Sequence, residues 1–250
     1  MKERLDTLLV KRGMFDSRHA AAASIMAGVI SVEGRIEDKA GKKLDEHVEI
    51  SIIQDICPYV GRGGLKLEGA IKHFGIDLHN KVSVDIGAST GGFTDFMLKN
   101  GAKKVYAVDV GYGQLDWKLR NDPRVVNLER TNVRYLDTSL IADSIDFISI
   151  DVSFISLKLV FPVAAEILSD KGRIVALIKP QFEAGREQVG KGGIVRDHEI
   201  HEEVIKKVIS YAEKNGLNAL DVMTSPIKGA KGNTEYFVLL EKTKETFGNG

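Results

Sequence analysis

The chain has 250 residues, 43% of them hydrophobic, which is enough for one large domain and a small one. Its 35 basic residues balance its 35 acidic ones, so no global positive field marks a nucleic-acid binder and any such surface has to be local. The lone Cys57 excludes an internal disulfide framework and a Cys-based zinc site.

The six histidines show no ligand spacing, so no metal is expected. The start Met1-Lys2-Glu3-Arg4-Leu5-Asp6 carries acids where a secretory signal carries an apolar stretch, and no later run reaches the ~18 apolar residues of a membrane span. A cytoplasmic protein is the expectation, monomeric by default and without a membrane partner.

Residues 1–57 read as a separate module. Leu5, Leu8, Leu9 and Val10 form a helical face ending at Gly13, and Ser17 caps a second helix, Arg18 to Ala27, that stops at Gly28. A strand over Val29 to Val32 meets a tight turn at Glu33-Gly34, and His47 to Ile53 supplies a later strand. Residues 58–64, Pro-Tyr-Val-Gly-Arg-Gly-Gly, read as a glycine-rich linker. A short helix carrying Lys66 opens the second domain, expected over 65–245. From Lys81 apolar strands alternate with helical segments, the pattern of a mostly parallel α/β sheet. The strands are Val82 to Ile86, Lys104 to Val108, Val125 to Leu128, Ile145 to Ile150, Arg173 to Ile178, Leu217 to Val222 and Glu235 to Leu240. Helices are expected over Gly92 to Asn100, Leu157 to Leu168 and His198 to Asn215, the last capped by Asp197.

The first strand runs through Asp85 and Ile86 into Gly87-Ala88-Ser89-Thr90-Gly91-Gly92-Phe93, a glycine-rich turn that opens a helix. Glycine admits positive φ and close ligand approach, and the helix start offers free amides to an anion. Ser89 stands where a dinucleotide fingerprint needs its second glycine, so a cofactor with a carboxylate and an adenosine but no pyrophosphate fits better, and S-adenosylmethionine is such a molecule. Asp109, ending the next strand, either accepts from ribose hydroxyls or caps a turn before Gly111. Asn132 either meets an adenine edge or forms a turn.

Four charged residues stand at strand ends or beside them. Asp151 ends one apolar run, Lys179 ends the next, Glu235 opens the last, and Lys66 precedes the first. Open α/β sheets place ligands at the carboxyl ends of parallel strands, so the set reads either as a catalytic cluster or as structural ion pairs at the rim. Basic residues in the stretch Gln181 to Arg196, Arg186 and Lys191 among them, read as a grip on an RNA backbone or as a plain surface loop. Lys228 and Lys231 carry the same two readings. Phe154 and Phe182 either stack on a base or join the core.

These residues resemble the TlyA family of haemolysin-A-like proteins, which join an alpha-L RNA-binding motif to an FtsJ-type ribose methyltransferase domain. In the second domain the resemblance rests on Arg62-Gly63-Gly64-Leu65-Lys66-Leu67, Asp85 through Phe93, Asp151-Val152-Ser153-Phe154-Ile155-Ser156-Leu157, Lys179-Pro180-Gln181-Phe182-Glu183, Gly192 to Asp197, Ser225-Pro226-Ile227 and Gly232-Asn233-Thr234-Glu235-Tyr236. In the first it rests on Arg4-Leu5-Asp6, Lys11-Arg12-Gly13, Ser17-Arg18, Ala20 and Gly28 through Gly34, with Glu33 where asparagine is common and Ala40 where proline is frequent. It implies a Rossmann-like sheet of about seven strands, the last antiparallel, preceded by a small α+β RNA-binding domain. It implies S-adenosylmethionine as cofactor, bound by Asp85, the glycine turn, Asp109 and Asn132. It further implies a Lys-Asp-Lys-Glu tetrad at Lys66, Asp151, Lys179 and Glu235 for 2′-O-methylation of ribosomal RNA, with a cytidine of the large and also the small subunit in view. Arg4, Lys11, Arg12, Arg18, Arg62, Arg186 and Lys191 are then the expected RNA contacts. Residues 1–43 hold nine Lys/Arg against six Asp/Glu, a modest surplus for phosphate binding.

Lys179 is the expected general base toward the ribose hydroxyl, because a neighbouring lysine and partial burial favour a neutral amine, whereas carboxylates favour the ammonium. The competing readings are a noncatalytic RNA-binding or ribosome-assembly protein, and a haemolysin-like activity by indirect association.

Overall fold

A computed structural model describes residues 2–26, 28–52, 57–229 and 232–243. Ala27, Ile53, Lys231 and residues 244–245, which belong to elements or domains expected from the sequence, lie outside them. The chain folds as two compact units, Met1–Cys57 and Pro58–Gly250.

The first unit runs β1 (Lys2–Arg4), α1 (Leu5–Lys11), α2 (Arg18–Met26), β2 (Ile30–Val32), β3 (Arg35–Ile36), β4 (Lys43–Asp45) and β5 (Ile50–Ile52). Leu5 and Leu9, one turn apart on α1, meet Ala21 and Ile25 of α2 and Ile30 and Val32 of β2 in one buried cluster. Each buried leucine, isoleucine or valine of the cluster stabilises by roughly 1.5–3 kcal/mol, and Leu9→Ala costs about 2–5 kcal/mol because surrounding groups relax only in part around the cavity. Glu33 (φ 50°) and Gly34 (φ 75°) form the two-residue turn of the β2–β3 hairpin, in which Val32 pairs with Arg35. The left-handed backbone costs Glu33 about 1 kcal/mol, which asparagine or glycine would reduce. Three short strands, β1, β3 and β4, are not foreseen from sequence.

The second unit contains α3 (Gly63–Phe74), β6 (Val82–Ile86), α4 (Gly92–Lys99), β7 (Lys104–Val108), α5 (Trp117–Arg120), β8 (Val125–Leu128), β9 (Ile145–Ile150), α6 (Phe161–Ile167), β10 (Leu168–Ile178), α7 (Pro180–Glu183), α8 (His198–Glu213), β11 (Leu217–Thr224) and β12 (Tyr236–Lys242). Its seven strands lie in the order β11-β12-β10-β9-β6-β7-β8. The block β10-β9-β6-β7-β8 is parallel, and β12 pairs antiparallel with both β10 and β11. Alternate residues feed two cores. Val84, Ile86, Ile174 and Val238 join α6 and α8 on one face, while Val105, Val175, Leu177 and Phe237 join α3 and α4 on the other.

Two departures have local causes. The helix expected over Leu157 to Leu168 is a 3-10 turn, Leu157–Leu159, followed by α6, because Pro162 lacks the N–H needed to continue a helix through it and sits in the first turn instead. The segment 58–64 is not a free linker. Tyr59 packs edge-on against Phe96 with centroids 5.5 Å apart, the Val60 N–H donates to Asp95 at 2.9 Å, and Gly63 and Gly64 already belong to α3. Gly64 is required there, since a Cβ would come 2.4 Å from the Tyr59 ring.

Candidate functional site

Strand β6 lies between β7 and β9, so the chain leaves it on one side and returns on the other. A crevice opens beyond the carboxyl ends at such a switch point. The turn after β6 fills that position. A Cβ on Gly87 (φ 87°) would stand 2.3 Å from the Asp151 carbonyl oxygen, so glycine allows the two strand ends to meet. Ser89 is held at φ 50° by its N–H, which donates to Asp109 at 2.8 Å, and the other Asp109 oxygen accepts from the Gly111 N–H at 2.7 Å. Each oxygen keeps a further lone pair for a ligand hydroxyl. Gly91 (φ 96°) caps α4, whose first-turn amides at Gly92 and Phe93 have no acceptor within the helix.

Three of the expected cofactor contacts have internal roles. Asp85 is fully buried beneath the turn, where it accepts from the Thr94 hydroxyl at 2.7 Å and the Ser149 hydroxyl at 3.1 Å. It therefore ties β6 to α4 and β9 rather than touching a ligand; its place at the end of an apolar strand suggests a carboxylate facing the crevice, but the pleat turns it inward. Burial lifts its carboxyl to about 7, against the two hydroxyls that pull it down, with the nearby Asp151 charge adding to the rise. Asn132 accepts from the Arg134 N–H at 3.1 Å and so forms the turn, although it also lines the cavity. Phe93 is buried and its ring packs toward Phe237 at 6.3 Å.

Two cavities share a wall made by Gly87, Ser89 and Asp151. The larger, about 660 Å³, runs past Asp109, Asn132 and Val133 to Phe154. The smaller, about 140 Å³, is enclosed by Gly61, Arg62, Gly63, Thr90 and Gly92 at the starts of α3 and α4. The first has the size and the carboxylate for a nucleoside. The second, with two helix N-termini and a guanidinium around it, suits a small carboxylate. The absence of Cβ atoms at Gly61 and Gly92 keeps it open, since at Gly61 one would meet the Thr90 hydroxyl at 2.8 Å. S-adenosylmethionine has both parts, so the residues fit it.

The tetrad residues stand at the same end of the sheet as two ion pairs. Lys66 Nζ lies 2.7 Å from Glu235 Oε2, with Glu235 2% exposed. Lys179 Nζ lies 2.6 Å from Asp151 Oδ1 and donates to the Ser153 hydroxyl at 2.9 Å. Register explains the placement. Ile178 pairs with Tyr236 across β10 and β12, so the next residues outward, Lys179 and Glu235, leave the sheet side by side. Ile86 pairs with Ile150, so Asp151 follows beside the glycine turn, and its N–H donates to the Ile86 carbonyl at 2.9 Å. Gln181 Nε2 reaches the Glu235 carboxylate at 3.4 Å from the turn that follows Lys179. Each lysine meets a carboxylate, not the other lysine. Ser153 and Gln181 carry no signal of their own in the sequence beyond lying next to Asp151 and Lys179.

A third cavity, about 700 Å³, opens beside the tetrad between Phe154, Gln181, Phe182, Arg186 and Gly190. Phe154 is 91% exposed at φ 64°, and its ring lies 4.9 Å from that of Phe182. The basic stretch after Lys179 is anchored, not loose: the Asn233 side chain donates to the Gly193 carbonyl at 2.9 Å and accepts from the Val195 N–H, and His201 reaches the Val195 carbonyl at 3.0 Å. Lys191 and Lys228 are exposed, and Arg62 lines the smaller cavity.

In the first unit the expected RNA contacts have internal partners. Arg4 and Arg18 both donate to the buried Asp6, holding its carboxyl well below the usual range. Lys11 pairs with Glu3, and Arg12 donates to the Glu46 and Val48 carbonyls. Among the described residues no group of three or more His, Cys, Asp or Glu is placed to hold a metal, and no helix is long and apolar enough to cross a membrane.

The FtsJ-like methyltransferase family matches residues 59–242, and the S4 domain family matches residues 3–50. The chain is 50% identical to the Bacillus subtilis protein YqxC over 96% of its own length and 85% of that protein's. It is 42% identical to the 16S/23S rRNA (cytidine-2'-O)-methyltransferase TlyA of Mycobacterium tuberculosis, covering 96% and 90%. A solved structure of a Streptococcus thermophilus protein named as a hemolysin superposes with a TM-score of 0.78 at 49% identity, covering 97% of this chain and 89% of that one.

Proposed function

The chain belongs to the FtsJ-like methyltransferase family, with an S4 domain ahead of the enzyme domain, and on that premise we propose that it methylates a ribose 2′-hydroxyl of ribosomal RNA, using S-adenosylmethionine. The observation that carries the reading is the meeting of Lys179–Asp151 and Lys66–Glu235 at the strand ends beside the glycine turn. By analogy with the relatives' names the nucleotide is a cytidine, and the cytoplasm is where such a substrate is found.

S-adenosylmethionine would be held at Asp109 and the α4 start and would supply an electrophilic methyl group on its sulfonium. The neutral hydroxyl is a poor nucleophile, so the protein has to position it and take its proton. Lys179, once its own proton has passed to solvent, would accept the hydroxyl proton as the ribose oxygen displaces sulfur from the methyl carbon, the sulfur leaving as a neutral thioether with the C–S electron pair, and Asp151 at 2.6 Å would stabilise the ammonium that results. Ser153 fixes the third direction at Nζ. Lys66, locked to the buried Glu235, presents a positive charge toward the same strand ends and holds the ribose side of the substrate. Phe154 and Phe182 offer a base-stacking surface beside Arg186, which meets phosphate.

Wild type and Lys179→Ala, incubated with methyl-labelled S-adenosylmethionine and separated ribosomal subunits, test this. Label on a ribose from wild type and none from the variant is the expected result. No label from a wild type that binds the cofactor would overturn it in favour of a noncatalytic RNA-binding role.

A further inference from the structure

Glu183 is a buried carboxylate that the transfer chemistry does not use: it is 5% exposed, and burial pushes its carboxyl up. It ends α7, a single turn that starts at Pro180 with Lys179 as its N-cap. The turn is closed by the Phe182 N–H on the Lys179 carbonyl and the Ala184 N–H on the Pro180 carbonyl, each at 2.9 Å. Lys179 and Glu183 are therefore four residues apart on one rigid piece of backbone. From α8, Lys207 donates to the Glu183 carbonyl at 2.8 Å and fixes its far end.

The Glu183 side chain points across to the other loop of the site. One oxygen accepts from the Leu157 N–H and the other from the Ser156 hydroxyl, both at 2.7 Å. Ser156 in turn caps the 3-10 turn through the Lys158 N–H at 3.2 Å. Between Asp151 and Ser156 the chain bends back through Phe154 in the left-handed region, so this loop is short and constrained. The two loops are thus joined twice: at one end by Lys179 on Asp151 and Ser153, at the other by Glu183 on Ser156 and Leu157. The first junction is the one a substrate hydroxyl has to enter. The second is out of solvent.

We propose that Glu183 is a positioning residue of the transfer site, which fixes the loop carrying Asp151 and Ser153 against the turn carrying Lys179 and thereby sets where Lys179 Nζ stands when the ribose arrives. The proposal rests on the methyl-transfer reading above. It assigns Glu183 no contact with substrate or cofactor. A displacement of about 1 Å at a reacting group lowers the rate on the order of 10²-fold, which is the scale expected when the clamp is lost.

The test measures kcat, KM for ribosomal subunits and cofactor affinity on full-length wild type, Glu183→Ala and Ser156→Ala. Glu183→Ala removes both acceptors, which Glu183→Gln would not, since its amide can accept from the Leu157 N–H and donate to the Ser156 hydroxyl; Ser156→Ala removes one of the two donors from the opposite side and leaves the carboxylate in place. Both should lose kcat by tenfold or more while cofactor affinity stays within twofold, and Glu183→Asp, too short to span the gap, should not restore it. The double variant should fall no further than the worse single one, because both cut the same link. Wild-type kcat in either folded single variant overturns the proposal, as does a loss in which cofactor affinity falls in proportion. Absence of transfer by wild type would instead remove the reading on which it rests.

Discussion

Asp85→Asn should make the enzyme domain more stable, and more so as the pH rises. The Asp85 carboxyl stands at about 7 in the folded protein against an ordinary 3.8. Below about pH 4 it is protonated in both states and contributes nothing. Between about 4 and 7 the unfolded chain releases the proton while the folded one keeps it, so stability falls with rising pH, and above about 7 the loss is complete at about 4 kcal/mol. About 1.5 kcal/mol of this is already present near pH 5. The gap between variant and wild type should therefore widen by about 2.5 kcal/mol from pH 5 to pH 8. An amide in the same place accepts from one of the Thr94 and Ser149 hydroxyls and donates to the oxygen of the other, so both contacts and the packing are kept. Urea unfolding at both pH values measures the gap, and the comparison cancels the titrating groups that do not interact with Asp85. A gap that stays constant within about 0.5 kcal/mol would refute the claim that burial outweighs the two hydroxyls.

Lys66→Ala should destabilise by about 3–5 kcal/mol, because Glu235 is left charged and buried, and adding Glu235→Gln should recover most of the loss in the same denaturation assay. Gly87→Ala should lower methyl transfer at least 10²-fold and weaken cofactor binding measured by calorimetry, since the added carbon meets the Asp151 carbonyl at 2.3 Å and the positive φ costs about 1 kcal/mol besides. Acid should act on the first unit through Asp6: its carboxyl is depressed by Arg4 and Arg18, so the stability it brings is present above about pH 4 and lost as the pH falls below, and a pH titration followed by hydrogen exchange should show this slope vanish in Asp6→Asn.

The α/β alternation and the four charged residues are legible in the sequence because they lie at the ends of long apolar runs, where period and position agree. Asp151, Lys179 and Glu235 can be placed at one mouth of the sheet without coordinates, since each borders its strand. The pairing is not legible. That Lys179 meets Asp151 depends on β10 lying next to β9, and that Glu235 stands beside them to meet Lys66 depends on β12 lying next to β10, facts of sheet order that no local pattern carries. Asp85 reads like Asp109 and Asp151 because all three are carboxylates at the ends of apolar runs, and only the packing of α4 and β9 around it shows that its side chain is covered. The strands of two or three residues in the first unit are too short to display alternation. Glu183 stands four residues after Lys179, a spacing visible in the chain, but its partners Ser156 and Leu157 lie in another loop.

The position of β12 has a further consequence for synthesis. Last of the seven strands to leave the ribosome, it has to enter between β10 and β11, both made earlier, and Glu235 arrives with it. A nascent chain that has released Lys66, Asp151 and Lys179 holds three of the four site residues on a sheet still missing an interior strand. The charge partner of Lys66 and the last interior pairing are therefore delivered in one late event, so that chains halted before Tyr236 are unfinished in fold and in site together.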